Sequence, residues 1–325
     1  MFSRCLSPAA VVLVGTLFAV GCSETASPIV PSSIQSGGDR VFGLGSGNGT
    51  LLVDDDGVDC QNADYNTIQG AVDAADPDTT ILVCAGTYNE RVTISTNDLR
   101  LLARGAPDTV LLDGNDKANF GGNNAFRLLN TSGVLIEGFT VREYFENIRI
   151  QGGGGNTVRK NRSTDAGHDP FIVFNSANNV VEQNVGFDNL GGNACGVNVT
   201  GAGSVGNLVR NNILTNNNWG IRIQGGATNN VVFGNESRGN RSHGIQNFGA
   251  TSNGTSIENN QVENNPVGIE VNASSGVTVA RNRVFQNATV DLRLLGAGVN
   301  NTFVNNHCET SSPAGLCAHS EGNSK

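Results

Sequence analysis

Ile221-Arg222-Ile223-Gln224 and Ile245-Gln246-Asn247-Phe248 stand 24 residues apart, each directly behind a glycine that itself follows a bulky side chain. The same arrangement runs upstream through Val197-Asn198-Val199-Thr200, Ile172-Val173-Phe174-Asn175, Ile148-Arg149-Ile150-Gln151 and Phe126-Arg127-Leu128. Downstream it returns as Ile269-Glu270-Val271-Asn272 and Leu292-Arg293-Leu294-Leu295. The leading positions are separated by 22, 24, 25, 24, 24, 24 and 23 residues. Apolar–polar alternation at period two is a strand with one buried face. A strand unit that recurs at this length buries its apolar face only against its own neighbours, so the chain reads as a solenoid. The expected class is all-β: a parallel β-helix of single-stranded coils.

A second strand follows in each coil, with a β-branched or aromatic centre and a closing Asn: Val158 to Asn161, Val181 to Asn184, Val209 to Asn212 and Val232 to Asn235. It continues through Ile257 to Asn260, Val279 to Asn282 and Phe303 to Asn306. Asn tolerates left-handed backbone at a corner, and its amide can bond to the Asn one coil away. One step of 28 residues, Asn184 to Asn212, places an added loop near Gly191–Gly206. No stretch after residue 75 carries a helical period.

The first residues have a different character. Arg4 precedes the apolar run Val11–Val20, which is too short for a permanent membrane span, and the run ends Ala19-Val20-Gly21-Cys22. This ending resembles a bacterial lipoprotein signal, implying cleavage after residue 21 and a lipid on Cys22 that holds the protein at the outer membrane. The alternative is an ordinary secretory signal cut near Gly21 or Ala26, and either way the protein leaves the cytoplasm. Residues 22–49 are rich in Ser, Pro and Gly and read as a tether. The β-helix is expected over residues 50–318 as one domain and a disordered tail over 319–325. Net charge is −9 with scattered Lys and Arg, so the basic stripe of a nucleic-acid binder is missing. An exported chain meets an oxidising compartment, which favours disulfides. Cys60 and Cys84 lie one repeat apart and are expected to pair across coils, while Cys308 and Cys317 close the last coil. Cys195 is left to pack as a small apolar residue.

Residues 65–75, Tyr-Asn-Thr-Ile-Gln-Gly-Ala-Val-Asp-Ala-Ala, set Ile68, Ala71, Val72 and Ala75 on one helical face. Thr80-Ile81-Leu82-Val83, Gly86-Thr87-Tyr88-Asn89-Glu90 and Leu99-Arg100-Leu101-Leu102 follow. This opening resembles the capped first coil of the pectin-lyase-like superfamily, and the resemblance extends over residues 50–308. It implies a right-handed parallel β-helix and a covering helix, but no single chemistry, since that superfamily holds lyases, hydrolases, esterases, epimerases and tailspikes. The paired aspartates of pectin methylesterases and polygalacturonases are absent, as is the Arg-x-Pro-x-x-Arg of pectate lyases. His168-Asp169-Pro170 has the residue types of the mannuronan epimerase core in another order.

Function is sought on the outward strand face. Arg149, Arg222, Gln246 and Glu270 fall in one outward column, and Asn175 and Gln224 in the next. With coils about 4.8 Å apart, Arg149 and Arg222 stand roughly 14 Å from each other. Arg pairs bidentately with carboxylates, so the strip suits an acidic or hydroxylated polysaccharide. Trp219 and His243 occupy equivalent places in successive coils beside it, with Asp165, His168 and Asp169 nearby; a packing role for Trp219 is the plainer alternative. Two readings stay open. One is a monomeric, lipid-anchored protein that binds a cell-surface glycan without catalysis. The other is a lyase or epimerase, with an Arg on the uronate and His168, Asp169 or His243 handling the proton. No cofactor is expected. Asp54-Asp55-Asp56-Gly57 with Asp59 offers carboxylates of the kind Ca²⁺ takes, though acidic turns are commonly just solvated.

Overall fold

Alternation needs a neighbour on each side, and the chain supplies it by winding. The structure is a computed structural model describing residues 49–106, 108–115, 123–189 and 191–318. The expected signal segment, Cys22, the expected tether before Gly49 and the expected tail at 319–325 lie outside the described residues. Among the described residues the first coil contributes one strand and each later coil one to each of three parallel sheets, of 11, 10 and 10 strands. In one coil these are Val231–Phe233, Glu236–Arg238 and His243–Phe248. Every strand pairs in parallel with the equivalent strand one coil away, as Trp219 does with His243 and Arg222 with Gln246. The result is a parallel β-helix, as the period requires, and it is right-handed, as the superfamily resemblance implies. Its interior is a stack of aliphatic side chains; Ile221, Ile223, Val232, Ile245 and Ile269 are fully buried. Each contributes about 1.5–3 kcal/mol relative to exposure.

The helix spans Ile68–Ala74 and lays Ile68, Ala71 and Val72 on the core. Thr67 caps it through its hydroxyl, and the Glu90 carboxylate accepts from the Ile68 and Gln69 amides at 2.8 and 2.9 Å. Those two amides have no partner inside a helix. The Gly86–Glu90 motif is thus structural: Tyr88 donates to the Cys84 carbonyl, Asn89 to that of Asp113, and Glu90 caps the helix.

Three asparagine ladders line the corners. In one, Asn184, Asn212 and Asn235 are buried and each side-chain amide donates to the next Oδ1, at 3.1 Å and 3.0 Å for the first two steps. A second runs Asn156, Asn179, Asn207, Asn230. The third runs from Asn189 through Asn217, Asn240 and Asn265 to Asn287, ending on Asp291. The ladder residues are not the left-handed ones, contrary to expectation. Positive φ falls one residue earlier, at Lys160, Gln183, Asn211 and Asn259, freeing the following Asn to point inward.

The glycine that stands second in four third-sheet strands, at 196, 220, 244 and 268, has a steric cause. A Cβ on Gly220 would lie 1.9 Å from the Ser237 hydroxyl and 2.4 Å from the Gly244 carbonyl. Both expected disulfides are present, with Cα separations of 6.2 Å for Cys60–Cys84 and 5.3 Å for Cys308–Cys317. Cys195 is a buried free thiol.

Candidate functional site

The third sheet carries the candidate site on its outer surface. Where Gly220 pinches the strand, the residue before it turns outward, so Trp219 meets Arg222, two positions past Gly220. The guanidinium carbon of Arg222 lies 4.6 Å from the Trp219 ring centroid and 5.2 Å from that of Phe248, on the next coil. Phe248 is 39% exposed. Among the described residues Arg222 has no carboxylate within ion-pair distance, and its buried Nε has no hydrogen-bond partner. The buried Trp219 Nε1 is likewise without one. Gln224 donates to the Asn198 side chain at 3.3 Å.

Arg149 is differently placed. Both oxygens of Glu146 accept from its Nη1, at 2.9 and 2.7 Å. It also lies over Phe174, 4.7 Å from the centroid. Near Glu146, His168 Nδ1 stands 2.8 Å from Asp169 as an ion pair rather than an aligned hydrogen bond. That contact, with Glu146 behind it, outweighs burial and raises the His168 pKa. Asp169 is fully buried and accepts from the Cys195 amide and the Asn198 side chain, both at 2.8 Å. Burial and the Asp169 charge together push the Cys195 thiol well up.

A second group lies two coils past Arg222. Glu270, 1% exposed, accepts from Gln246 at 2.7 Å, from Asn272 at 3.2 Å and from Arg293 Nε at 2.5 Å. His243 Nε2 lies 3.4 Å from the same carboxylate, and its Nδ1 meets the Ser242 hydroxyl. Burial pushes the Glu270 pKa up, but His243, Gln246 and Arg293 overcome it and hold it down at about 2. A depressed carboxylate stabilises the fold above its unfolded pKa and stops doing so as pH falls through the folded one. Glu270→Gln is therefore expected to be less stable than the parent at pH 6 by about 2 kcal/mol. The gap should shrink between about pH 4.5 and 2. Denaturation midpoints measured across that range check it; a constant gap would contradict the assignment.

Most of the sequence-predicted residues share this face, with one correction. Asn175 does not belong to the outward columns. Ile150 pairs with Val173 and Gln151 with Phe174, so the strand is Phe171–Phe174 and Asn175 sits beyond it at φ 48. Four consecutive apolar residues hide the phase of the alternation, and a slip of one flips every side chain. Gln246 and Glu270 face each other but are buried, and act on Arg293 and His243. Sequence reasoning missed Glu146, whose column (two before each leading apolar residue) is the one that holds Trp219 and His243.

A family profile described as "Periplasmic copper-binding protein (NosD)" matches residues 132–314, more than half of the chain. The chain belongs to the NosD family. No curated protein matches it by sequence. Among solved structures, this NosD-family chain is similar to the mannuronan C-5 epimerase AlgE6 A-module of Azotobacter vinelandii. The identity is 17% over 75% of this chain and 83% of that one, with a TM-score of 0.56. It is also similar to the polygalacturonase of Erwinia carotovora, at 10% identity over 84% and 96% with a TM-score of 0.58. A third is the tailspike of E. coli bacteriophage HK620 in complex with a pentasaccharide, at 14% over 73% and 51% with a TM-score of 0.52. At these identities the likeness is one of fold, and it agrees with the pectin-lyase-like resemblance. The NosD family is periplasmic by description, in keeping with an exported chain. Among the described residues no helix is long and apolar enough to cross a membrane.

Copper favours imidazole and sulfur ligands. Among the described residues two groups bring three or more His, Cys, Asp or Glu ligand atoms together: Glu146, His168 and Asp169, and Asp54, Asp56 and Asp59. The first has one imidazole, no sulfur, and a Glu146 held by Arg149; the second has carboxylates alone. Four cysteines are tied in disulfides and Cys195 is buried. The described residues of this NosD-family protein do not fit a copper centre. In the acidic turn, Asp54 accepts from the Cys60 amide and Asp56 from that of Val58, while Asp55 turns to the Thr87 amide.

Proposed function

We propose that this protein is an exported β-helix protein, lipid-anchored at Cys22 and monomeric, that binds an acidic polysaccharide along its third sheet without transforming it. The observation that carries the reading is Arg222, a guanidinium lying over two aromatic rings with no acidic partner among the described residues. A cation held over aromatic faces is positioned for a carboxylate, and an exposed ring beside it suits the apolar face of a sugar. Gln224 and Thr200 flank it with neutral hydrogen-bonding groups, and Asn198 behind them is held by Asp169 and Gln224. The polysaccharide-active proteins of similar fold support a glycan as the ligand class. His168 and Asp169 hold each other and the Asn198 rung, and His243 is engaged with Glu270. Those contacts favour positioning roles over proton transfer.

The experiment is calorimetry with an oligosaccharide containing glucuronate. Arg222→Ala is expected to weaken binding by about tenfold or more, the worth of a charged hydrogen-bonded pair. Trp219→Ala should weaken it less. Undiminished affinity in Arg222→Ala would remove the reading. New absorbance from unsaturated uronate on incubation would replace binding by lyase chemistry.

A further inference from the structure

We infer that the third sheet selects a glycan with isolated anionic residues set among neutral sugars, and discriminates against a polymer bearing a carboxylate on every residue. This rests on the glycan-binding reading above and concerns the spacing of the ligand's charges. Arg149 is held by both oxygens of Glu146, and Arg293 by a Glu270 that is almost wholly buried. Asp169 is enclosed by His168, the Cys195 amide and Asn198. Arg222 is open. The rungs on either side of it pair Asn198 with Arg222 and Arg222 with Gln246, and carry Thr200 and Phe248 further along. No formal charge stands at either neighbouring outward position.

Rungs are about 4.8 Å apart, so Glu270 lies about 10 Å from Arg222 along the sheet and Glu146 about 14 Å the other way. A ligand carboxylate at either place meets a guanidinium already satisfied by a carboxylate that the chain cannot release. Such a like-charge juxtaposition costs binding without a compensating pair. Toward the start of the sheet, the next guanidinium with no carboxylate partner among the described residues is Arg127, which donates to Gln151 at 2.9 and 3.2 Å. It is four rungs from Arg222, about 19 Å. A second ligand anion therefore finds a site at that distance and not nearer. The net charge of −9 adds a general repulsion of dense polyanions.

The test compares three hexasaccharides by calorimetry at low salt: six neutral hexoses, the same chain with one central glucuronate, and six uronates. The singly charged chain is expected to bind at least about fivefold more tightly than the hexauronate. In Glu146→Gln, which releases Arg149, the hexauronate should gain and the gap should narrow. In Glu258→Gln, which releases Arg281 on the first sheet, it should not change. A hexauronate that binds as tightly as the singly charged chain overturns the inference while leaving the glycan-binding reading intact. So does a gap unaltered in folded Glu146→Gln. Should that variant fail to fold, the wild-type comparison decides alone. A neutral chain binding as tightly as the charged one, or none binding, removes the glycan-binding reading itself.

Discussion

Replacing Asn212 with Leu is expected to cost about 4 kcal/mol or more of folding stability, beyond most single substitutions. Asn212 sits in the middle of a closed file. Its Oδ1 accepts from the Asn184 amide at 3.0 Å and the Asn184 side chain at 3.1 Å. Its own amide and side chain both donate to Asn235 at 3.0 Å, and the side chain also reaches the Val181 carbonyl at 2.9 Å. Leu has nearly the right volume but strands two donors of Asn184 and the Val181 carbonyl in a dry interior. Each stranded group costs about 1–3 kcal/mol. Aspartate at the same place keeps the acceptor and loses the donor, while burying a charge, and should fall no less. Urea midpoints for the two variants provide the measurement. A loss under about 1 kcal/mol in Asn212→Leu would mean that the file is ornamental and the aliphatic stack alone holds the coils.

Opening the Cys60–Cys84 bridge should cost nearly as much. It closes a 24-residue separation, which in the chain-entropy description corresponds to about 3.5 kcal/mol; Cys308–Cys317, closing 9, corresponds to about 2.6 kcal/mol. The first joins the opening coil to the next beside the capping helix, where the stack has a neighbour on one side only. Serine at both positions of each bridge, with unfolding followed in urea, should rank the two in that order. Equal losses would show that geometry at the coil ends outweighs loop length.

The coils and the residues facing away from them were readable from the spacing because burial imposes it: one side chain must point in per step of two, and one strand must recur per turn. Phe171-Ile172-Val173-Phe174 defeated that logic, since four apolar residues fit either phase and only pairing with Ile148–Gln151 selects one. The ladder closing the second strand was visible; those at Asn156 and Asn189 were not, because asparagine is so common at corners that its burial leaves no mark in a single sequence. The candidate site was half visible. Trp219, Arg222 and His243 declared themselves by chemistry and spacing. What distinguishes Arg222 from Arg149 is a carboxylate three residues away in one case and none in the other. Glu146 acts on Arg149 only because the strand pinches between them.

Strict in-register stacking makes distances along this surface quantised. Inserting or deleting one complete turn would leave every remaining neighbour pair intact while shifting the interval between Arg127 and Arg222 by a single fixed increment. Such a molecule can serve as a ruler whose graduations are coils, and relatives with more or fewer of them would measure different intervals with the same chemistry.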